Sequence, residues 1–341
     1  RIQFIYRTLA QMQNFHSKNA LQWLESIRAD NFAQKALELF RWQANHCPVY
    51  SEYLRLLKIQ SERINNLCDI PFLPIEFFKK HKIISGNTTA ELLFESSGTT
   101  GQQRSKHYVA SSEIYHWTGR KGFENAFGKI KDWAILALLP SYLERQSASL
   151  VYMVQQWIEA SGNTHSGFYL NDLEALDQKL KFLNRQKQNT LLIGVSFALL
   201  DLAEKFPQNL GKIKILETGG MKGRRKEMIR EALHEALKRA FQKDKIYSEY
   251  GMTEMLSQAY TRGGELFYPP DYLRMLARSV YDPFEKYPSG SGALNVIDLA
   301  NIFSCAFIET QDLGTVNSDY SFEVKGRMDY SEVRGCNLMV G

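Results

Sequence analysis

The chain has 341 residues, enough for one large core or two to three modules, and with 44% hydrophobic and 23% charged residues it reads as globular rather than disordered or fibrous. Its 42 cations against 37 acids leave a formal charge of +5, which suits an anionic small substrate and falls short of a nucleic-acid-binding surface. Four cysteines, Cys47, Cys68, Cys305 and Cys336, stand far apart with no C-x-x-C pair, which argues against a zinc site or a disulfide framework and suits a reducing cytoplasm.

The start, RIQFIYRTLA, has mixed polarity, no signal-peptide hydrophobic segment and no initiator Met, so a trimmed start is expected. No apolar run reaches the ~18 residues of a membrane span, and the expected location is cytoplasmic. Residues 1–88 read as a helical, aromatic N-terminal region: Phe32, Ala36, Leu39 and Phe40 follow the i, i+4, i+7, i+8 stripe of an amphipathic helix. Pro48 is expected to separate two helices, because proline disfavours the helical conformation in the residue before it. The segment Ile70-Pro-Phe-Leu-Pro-Ile75 then breaks regular structure and leads, extended, into a hydroxyl-rich loop.

From about residue 90 strands alternate with helices. Trp133–Leu139 and Thr190–Val195 are apolar runs of strand length; Lys212–Leu216 and Lys245–Tyr250 are weaker ones. A helix is expected over Arg224–Phe241, with Ile229, Leu233, Ala236, Leu237 and Ala240 on one face and Glu235 supporting Arg239 at i, i+4. This alternation predicts a largely parallel sheet covered on both faces, an α/β fold. From about residue 265 strands dominate: Leu273–Val280, Ala293–Asp298, Ala306–Glu309 and Ser321–Lys325, with Pro288-Ser-Gly-Ser-Gly292 as the turn between the first two. These make a β-rich subdomain closing over the α/β core. The basic run Lys222–Lys226 reads as a solvated helix start, and no nucleic-acid partner is expected.

The loop Glu95-Ser-Ser-Gly-Thr-Thr-Gly-Gln-Gln-Arg-Ser-Lys106 packs hydroxyls and glycines between an apolar run and two cations. Glycine frees the backbone and removes the Cβ that would hold a ligand away, and clustered N–H and O–H donors suit phosphate oxygens. Its order differs from the Walker loop G-x-x-x-x-G-K-[ST]. Taken alone it also reads as a solvated turn. Further along stand Thr218-Gly-Gly220, Tyr247-Ser-Glu-Tyr-Gly-Met-Thr-Glu254, Thr310-Gln-Asp-Leu-Gly314 and Gly326-Arg-Met-Asp329. Singly, each has an ordinary reading: a strand-to-helix turn for Gly219 and Gly220, a surface acid for Glu254, a turn with left-handed Gly314 for Asp-Leu-Gly.

In this order, from about residue 70 to the end, the set resembles the adenylate-forming (ANL) superfamily of acyl-CoA synthetases, firefly-type luciferases and peptide-synthetase adenylation domains. IPFLPIEFFKK, LLPSYLERQSASLVYM and EVRGCNLMV resemble its acyl-protein synthetase (LuxE-type) branch, near relatives of the phenylacetate-CoA ligases. The resemblance implies a large adenylating domain with parallel or mixed sheets flanked by helices, here residues 89–325. Residues 326–341 would be a hinge and short tail, with the mobile C-terminal domain absent or reduced. It implies ATP and Mg²⁺ as cofactors and a carboxylic acid, of the fatty kind, as substrate.

By the same resemblance Ser96, Ser97, Gly98, Thr99, Thr100 and Gly101 cradle the β- and γ-phosphates, with Lys106 or Arg104 adding charge. The intervening Gln-Gln-Arg-Ser leaves open which of the two touches phosphate. Gly219 and Gly220 support the adenine ring and Tyr250 covers its other face. In the Tyr250-Gly251-Met252-Thr253-Glu254 block, Thr253 bonds the α-phosphate and Glu254 holds Mg²⁺, a hard cation that takes few carboxylates. Asp312 accepts the ribose hydroxyls, Arg327 reaches the ribose or phosphates, and Asp329 marks the hinge.

Attack of an already ionised carboxylate on the ATP α-phosphorus needs positioning and charge neutralisation rather than a general base. That fits a motif set without a Ser-His-Asp arrangement. The seven histidines show no H-x-x-x-H spacing and read as ordinary. The resemblance makes Cys336 the acyl-carrying nucleophile, with Arg334 lowering the thiol pKa; a small buried hydrophobe is its ordinary reading. Cys47, Cys68 and Cys305 read as structural. The implied activity is acyl-adenylate formation with pyrophosphate release, then acyl transfer to a protein cysteine; the alternative is an acyl- or aryl-CoA ligase. An acyl-accepting or reductase protein is the implied partner. The acyl pocket is expected from residues 133–160 and the strands around 190–220.

Overall fold

A computed structural model describes residues 17–96, 103–139, 147–219 and 228–328. The chain forms two compact units: Thr89–Pro270, and a second that joins Arg1–Thr88 to Asp271–Gly341.

The Thr89–Pro270 unit is built on a mixed sheet. Its parallel part runs, edge to edge, Gly167–Phe168, Ala134–Leu138, Thr190–Val195, Lys214–Thr218, Tyr247–Tyr250, and two antiparallel strands follow, Ala259–Thr261 and Phe267–Tyr268. Every residue of Ala134–Leu138 and Thr190–Val195 is buried. Such continuous apolar runs are what central parallel strands require when helices cover both faces. The covering helices include Ser112–Phe127, Ser149–Ser161, Leu173–Arg185 and Ser196–Lys205. Two have the side-chain caps their first turns need: Ser111 accepts from Ile114 N at 3.4 Å and Asp172 from Ala175 N at 2.9 Å.

Three expectations shift here. The third strand begins at Lys214 rather than Lys212, because Gly211 and Lys212 form the preceding turn with Gly211 at φ +49°. The fourth begins at Tyr247 rather than Lys245. Of the helix expected over Arg224–Phe241, residues 224–227 lie outside the described ones, and the described helix is Arg230–Phe241: Ile229 precedes it in extended conformation, 71% exposed, so the buried stripe is Leu233, His234, Leu237 and Phe241. Glu235 pairs with Lys238 at 2.9 Å instead of with Arg239.

In the second unit, helices Phe32–His46 and Pro48–Leu56 meet at Cys47 with Pro48 in the first helical position, where its missing N–H costs nothing. The expected stripe Phe32, Ala36, Leu39 and Phe40 is buried. It packs on an antiparallel sheet ordered Lys286–Tyr287, Leu273–Arg278, Gly290–Asp298, Phe307–Val316, Phe322–Arg327, to which Leu73–Pro74 adds a parallel pairing with Ile308 and Glu309. Phe40, Tyr50, Phe72 and Phe307 form the aromatic centre, with Phe307 within 5.8–6.3 Å of the other three rings. Buried Gln43 stitches the helix to the segment after the third strand. Its amide donates to Asn301 O at 2.7 Å and Ile302 O at 2.9 Å, and its oxygen accepts from Ala306 N at 3.0 Å.

Two expectations are corrected in this unit. Gly290–Gly292 is not a turn but the start of a strand, leaving only Pro288 and Ser289 between strands. The strand expected over Ala306–Glu309 runs on to Val316, so Thr310–Gly314 lies inside it, and Gly314 is absent from the left-handed glycines. The cause is a close approach: a Cβ on Gly314 would lie 2.0 Å from Glu323 O, at a register shift between Leu313 and Gly314.

Candidate functional site

Within Thr89–Pro270 the hydroxyl loop springs from two paired strands, Leu92–Glu95 and Lys106–Val109. Its base is closed by Ser96 and Ser105: Ser96 N donates to Ser105 O at 3.0 Å, and Ser105 N donates to the Ser96 hydroxyl at 2.9 Å. The Ser96 oxygen is thus an acceptor at the loop's root. Arg104 Nη1 and Lys106 Nζ each stand 3.8 Å from the Glu95 carboxylate, one on either oxygen. The two cations between which the sequence did not choose therefore share one counter-ion. Ser97, Gly98, Thr99, Thr100 and Gly101 lie outside the described residues.

The Tyr247–Tyr250 strand leads into the Gly251–Glu254 block at the carboxyl end of the parallel sheet, where open α/β sheets bind ligands. Three anchors from distant sequence hold the chain here. Thr218 donates its hydroxyl proton to the Glu249 carboxylate. Buried His107 donates from Nδ1 to Thr253 O at 2.8 Å, since a carbonyl can only accept. Buried Thr118 donates to Leu256 O at 2.7 Å. Within the block Met255 N bonds Met252 O at 3.1 Å, and Glu254 is buried. Tyr250, also buried, packs on Phe267 with ring centroids 5.7 Å apart.

Gly251 answers to its neighbour rather than to a positive φ. A Cβ there would lie 2.4 Å from Glu249 Oε1. Burial pushes the Glu249 carboxyl up to about 7; the Thr218 hydroxyl pulls the other way, and the negative charge on Glu217 pushes further upward.

One strand over, Gly219 follows Thr218 with φ +72°, a conformation that favours glycine. Its carbonyl accepts from the Ser196 hydroxyl at 2.7 Å, at the first residue of the Ser196–Lys205 helix. Beneath it lies a buried polar cluster around Glu217. Ser248 donates to Glu217 Oε1 at 2.7 Å and accepts from His234 Nε2 at 3.1 Å, which fixes the proton on Nε2. Arg230 Nε stands 3.8 Å from the same carboxylate. Gly220 lies outside the described residues.

In the second unit Asp312 and Arg327 face each other across adjacent strands, and Arg327 Nε donates to Asp312 Oδ1 at 3.0 Å. Asp312 is buried, whereas the Arg327 side chain is 76% exposed. Asp329, Arg334 and Cys336 lie outside the described residues. Cys47 and Cys305 are buried, and burial raises both thiols.

The fold therefore joins the loop's base to the Thr253 turn through His107, and joins Gly219 to the Tyr247–Tyr250 strand through Ser196, Glu217 and Ser248. His107, Thr118, Ser196 and Glu217 lie outside the motif blocks, and Ser248 and Glu249, inside the Tyr247–Glu254 block, were given no role there. A lone histidine and scattered hydroxyls carry no sequence signal, because what gives them a role is a partner from 14 to 146 residues away.

No protein-family model and no curated protein sequence matches this chain. Solved structures do. 2-Hydroxyisobutyryl-CoA ligase, in complex with 2-HIB-AMP and CoA in the thioesterification state, matches with a TM-score of 0.64 at 13% identity, over 89% of this chain and 68% of its own. A long-chain-fatty-acid-CoA ligase from Archaeoglobus fulgidus matches at 0.51 and 16% identity, over 73% and 53%. The ATP-bound RpMatB-BxBclM chimera B1 matches at 0.52 and 14%, over 69% and 47%, so the chain spans about half the length of that protein. Two of these three neighbours are CoA ligases, and the mixed α/β architecture of this chain is the fold it shares with them. No described helix is long and apolar enough to cross a membrane.

Proposed function

We propose that this protein activates a carboxylic acid with ATP, forming an acyl-adenylate and pyrophosphate, and passes the acyl group to a thiol. One observation carries the reading: His107, on the strand leaving the hydroxyl loop, is hydrogen-bonded to Thr253, 146 residues away, so the described root of that loop and the Thr253 turn lie together in one unit. The fold that this chain shares with an ATP-bound chimera and with a CoA ligase bound to 2-HIB-AMP and CoA supports it.

The residues fit the ligands they are assigned. Glu254 offers carboxylate oxygens of the hard kind that Mg²⁺ prefers, and the ion would neutralise charge on the phosphates. The loop between Ser96 and Ser105 would bind the β- and γ-phosphates with Arg104 or Lys106, and Thr253 the α-phosphate. Gly219 and Gly220 would carry the adenine beside Tyr250. The substrate carboxylate oxygen forms a bond to the α-phosphorus as the bond to pyrophosphate breaks. No protein base is needed, because the acid is already ionised at neutral pH. Residues 89–325 are the adenylating part in this reading and 326–341 the hinge and tail.

For the second step we infer transfer to the Cys336 thiolate, giving a thioester and releasing AMP, with a fatty acid as substrate and a reductase-type protein as next acceptor. Coenzyme A as acceptor is the second reading, and the neighbour bound to both 2-HIB-AMP and CoA favours it. Incubation with ATP, Mg²⁺ and labelled fatty acid separates the two. Hydroxylamine-labile label on the protein, lost in Cys336→Ser, supports the first; label carried only by added coenzyme A supports the second. Pyrophosphate exchange that no acid in a broad panel stimulates would overturn both.

A further inference from the structure

The proposed chemistry assigns no task to His107, yet this side chain makes the long-range bond on which the arrangement of the two blocks depends. His107 is fully enclosed and sits opposite Phe94 in the paired strands below the hydroxyl loop. Two residues before it, Ser105 closes the loop against Ser96 with two hydrogen bonds. On its other side, Nδ1 lies 2.8 Å from Thr253 O. The path from loop to turn is therefore short and stiff: a stapled root, a two-stranded ladder, an imidazole, and the peptide carbonyl joining Thr253 to Glu254. Buried polar groups in such a link are costly to leave unpaired, so the bond fixes the peptide plane as well as the distance.

We propose that His107 is a positioning residue for nucleotide binding. It holds the Thr253–Glu254 peptide in register with the Ser96–Ser105 root of the hydroxyl loop and with Arg104 and Lys106 beside it, so that phosphate and divalent cation meet groups already arranged. The proposal rests on the adenylation reading above. Its chemistry is that of a donor at one place, the Nδ1 position, rather than of charge or proton transfer. Thr118 and Thr218 anchor the same stretch at Leu256 and Glu249, but on either side of the Thr253–Glu254 peptide.

The test compares three variants of the full chain. His107→Asn places an amide N–H close to where Nδ1 stood. His107→Gln places its amide near the Nε2 position, and His107→Leu removes the donor. Pyrophosphate exchange is measured against ATP and Mg²⁺ concentration, alongside the thermal midpoint of each protein without ligand. The expected result is an increase of about tenfold in the KM for MgATP in the leucine and glutamine variants, the size of one lost buried hydrogen bond, with asparagine restoring most of it. Should the leucine variant fail to fold, the asparagine–glutamine pair decides. Equal KM values for the asparagine and glutamine variants, or a lowered thermal midpoint with KM within twofold of the parent, would show His107 to be a core residue only and overturn the proposal. A parent protein that shows no exchange with any acid overturns the adenylation reading instead and takes this proposal with it.

Discussion

The two units carry their motif residues in opposite ways. In Thr89–Pro270 they stand where strands end: Gly219 follows Thr218, Gly251 follows Tyr250, and the hydroxyl loop begins beyond Glu95. In the other unit Asp312 and Gly314 sit inside a ten-residue strand, locked in register with Arg327 and Val324. The contrast lies in what each glycine gives room to. Gly251 makes way for the end of the Glu249 side chain, which can turn aside; Gly314 makes way for a backbone carbonyl of the neighbouring strand, which cannot. A parallel sheet presents its motifs on edges that can adjust, whereas the antiparallel one builds them into its ladder.

The sharpest way to break this contrast is to add one methyl group at each place. Gly314→Ala brings a Cβ within 2.0 Å of Glu323 O and is expected to cost more than about 3 kcal/mol in urea unfolding, the range of severe overpacking and backbone clashes. Gly251→Ala should cost roughly 1 kcal/mol, because a flexible carboxylate gives way. Equal losses would erase the distinction.

A smaller effect comes from Glu249, which ties the edge together. Its carboxyl keeps its proton up to about pH 7 in the folded protein but releases it near the ordinary 4.5 when unfolded. The folded state therefore binds more protons between those values. Stability is full below about 4.5 and falls as pH rises through about 7. Relative to Glu249→Gln, the parent should lose about 2 kcal/mol across this window, less than the full shift implies because the residue keeps some contact with solvent. Parallel pH profiles for parent and variant would contradict the burial argument.

The smallest effect concerns the exposed pairs at the mouth of the hydroxyl loop. Glu95 engages both Arg104 and Lys106 at 3.8 Å with partly exposed side chains, so Glu95→Gln should change stability by less than about 0.5 kcal/mol. Freed from their counter-ion, the two cations should bind pyrophosphate about threefold tighter at low salt, with the gain shrinking as ionic strength rises. Calorimetric titration reads it. Weaker binding would mean that Glu95 aligns these cations for the phosphate rather than competing for them.

Local pattern made much of the fold legible. The buried stripe of Phe32–His46, the break at Pro48 and the apolar central strands all follow from residues within a few positions of one another. The helix at Arg230 was harder to place, since Ile229 continues the apolar rhythm but stands in extended backbone before the first turn. Asp-Leu-Gly looked like a turn because those residue types favour turns; the ladder with Phe322–Arg327 overrode the preference. The order of the motif blocks was also readable.

By itself, then, the sequence determined the alternation of strands and helices, the apolar faces that bury themselves, and the chemical character of the loop and the Gly-Met-Thr-Glu block. Only the tertiary structure decided which side chains hold those blocks: His107 on Thr253, Ser196 on Gly219, Thr218 on Glu249, and Arg327 on Asp312. The reason is physical. Periodicity and propensity act over one or two turns of chain, whereas a buried hydrogen bond is specified by two groups that become neighbours only once the sheet has formed.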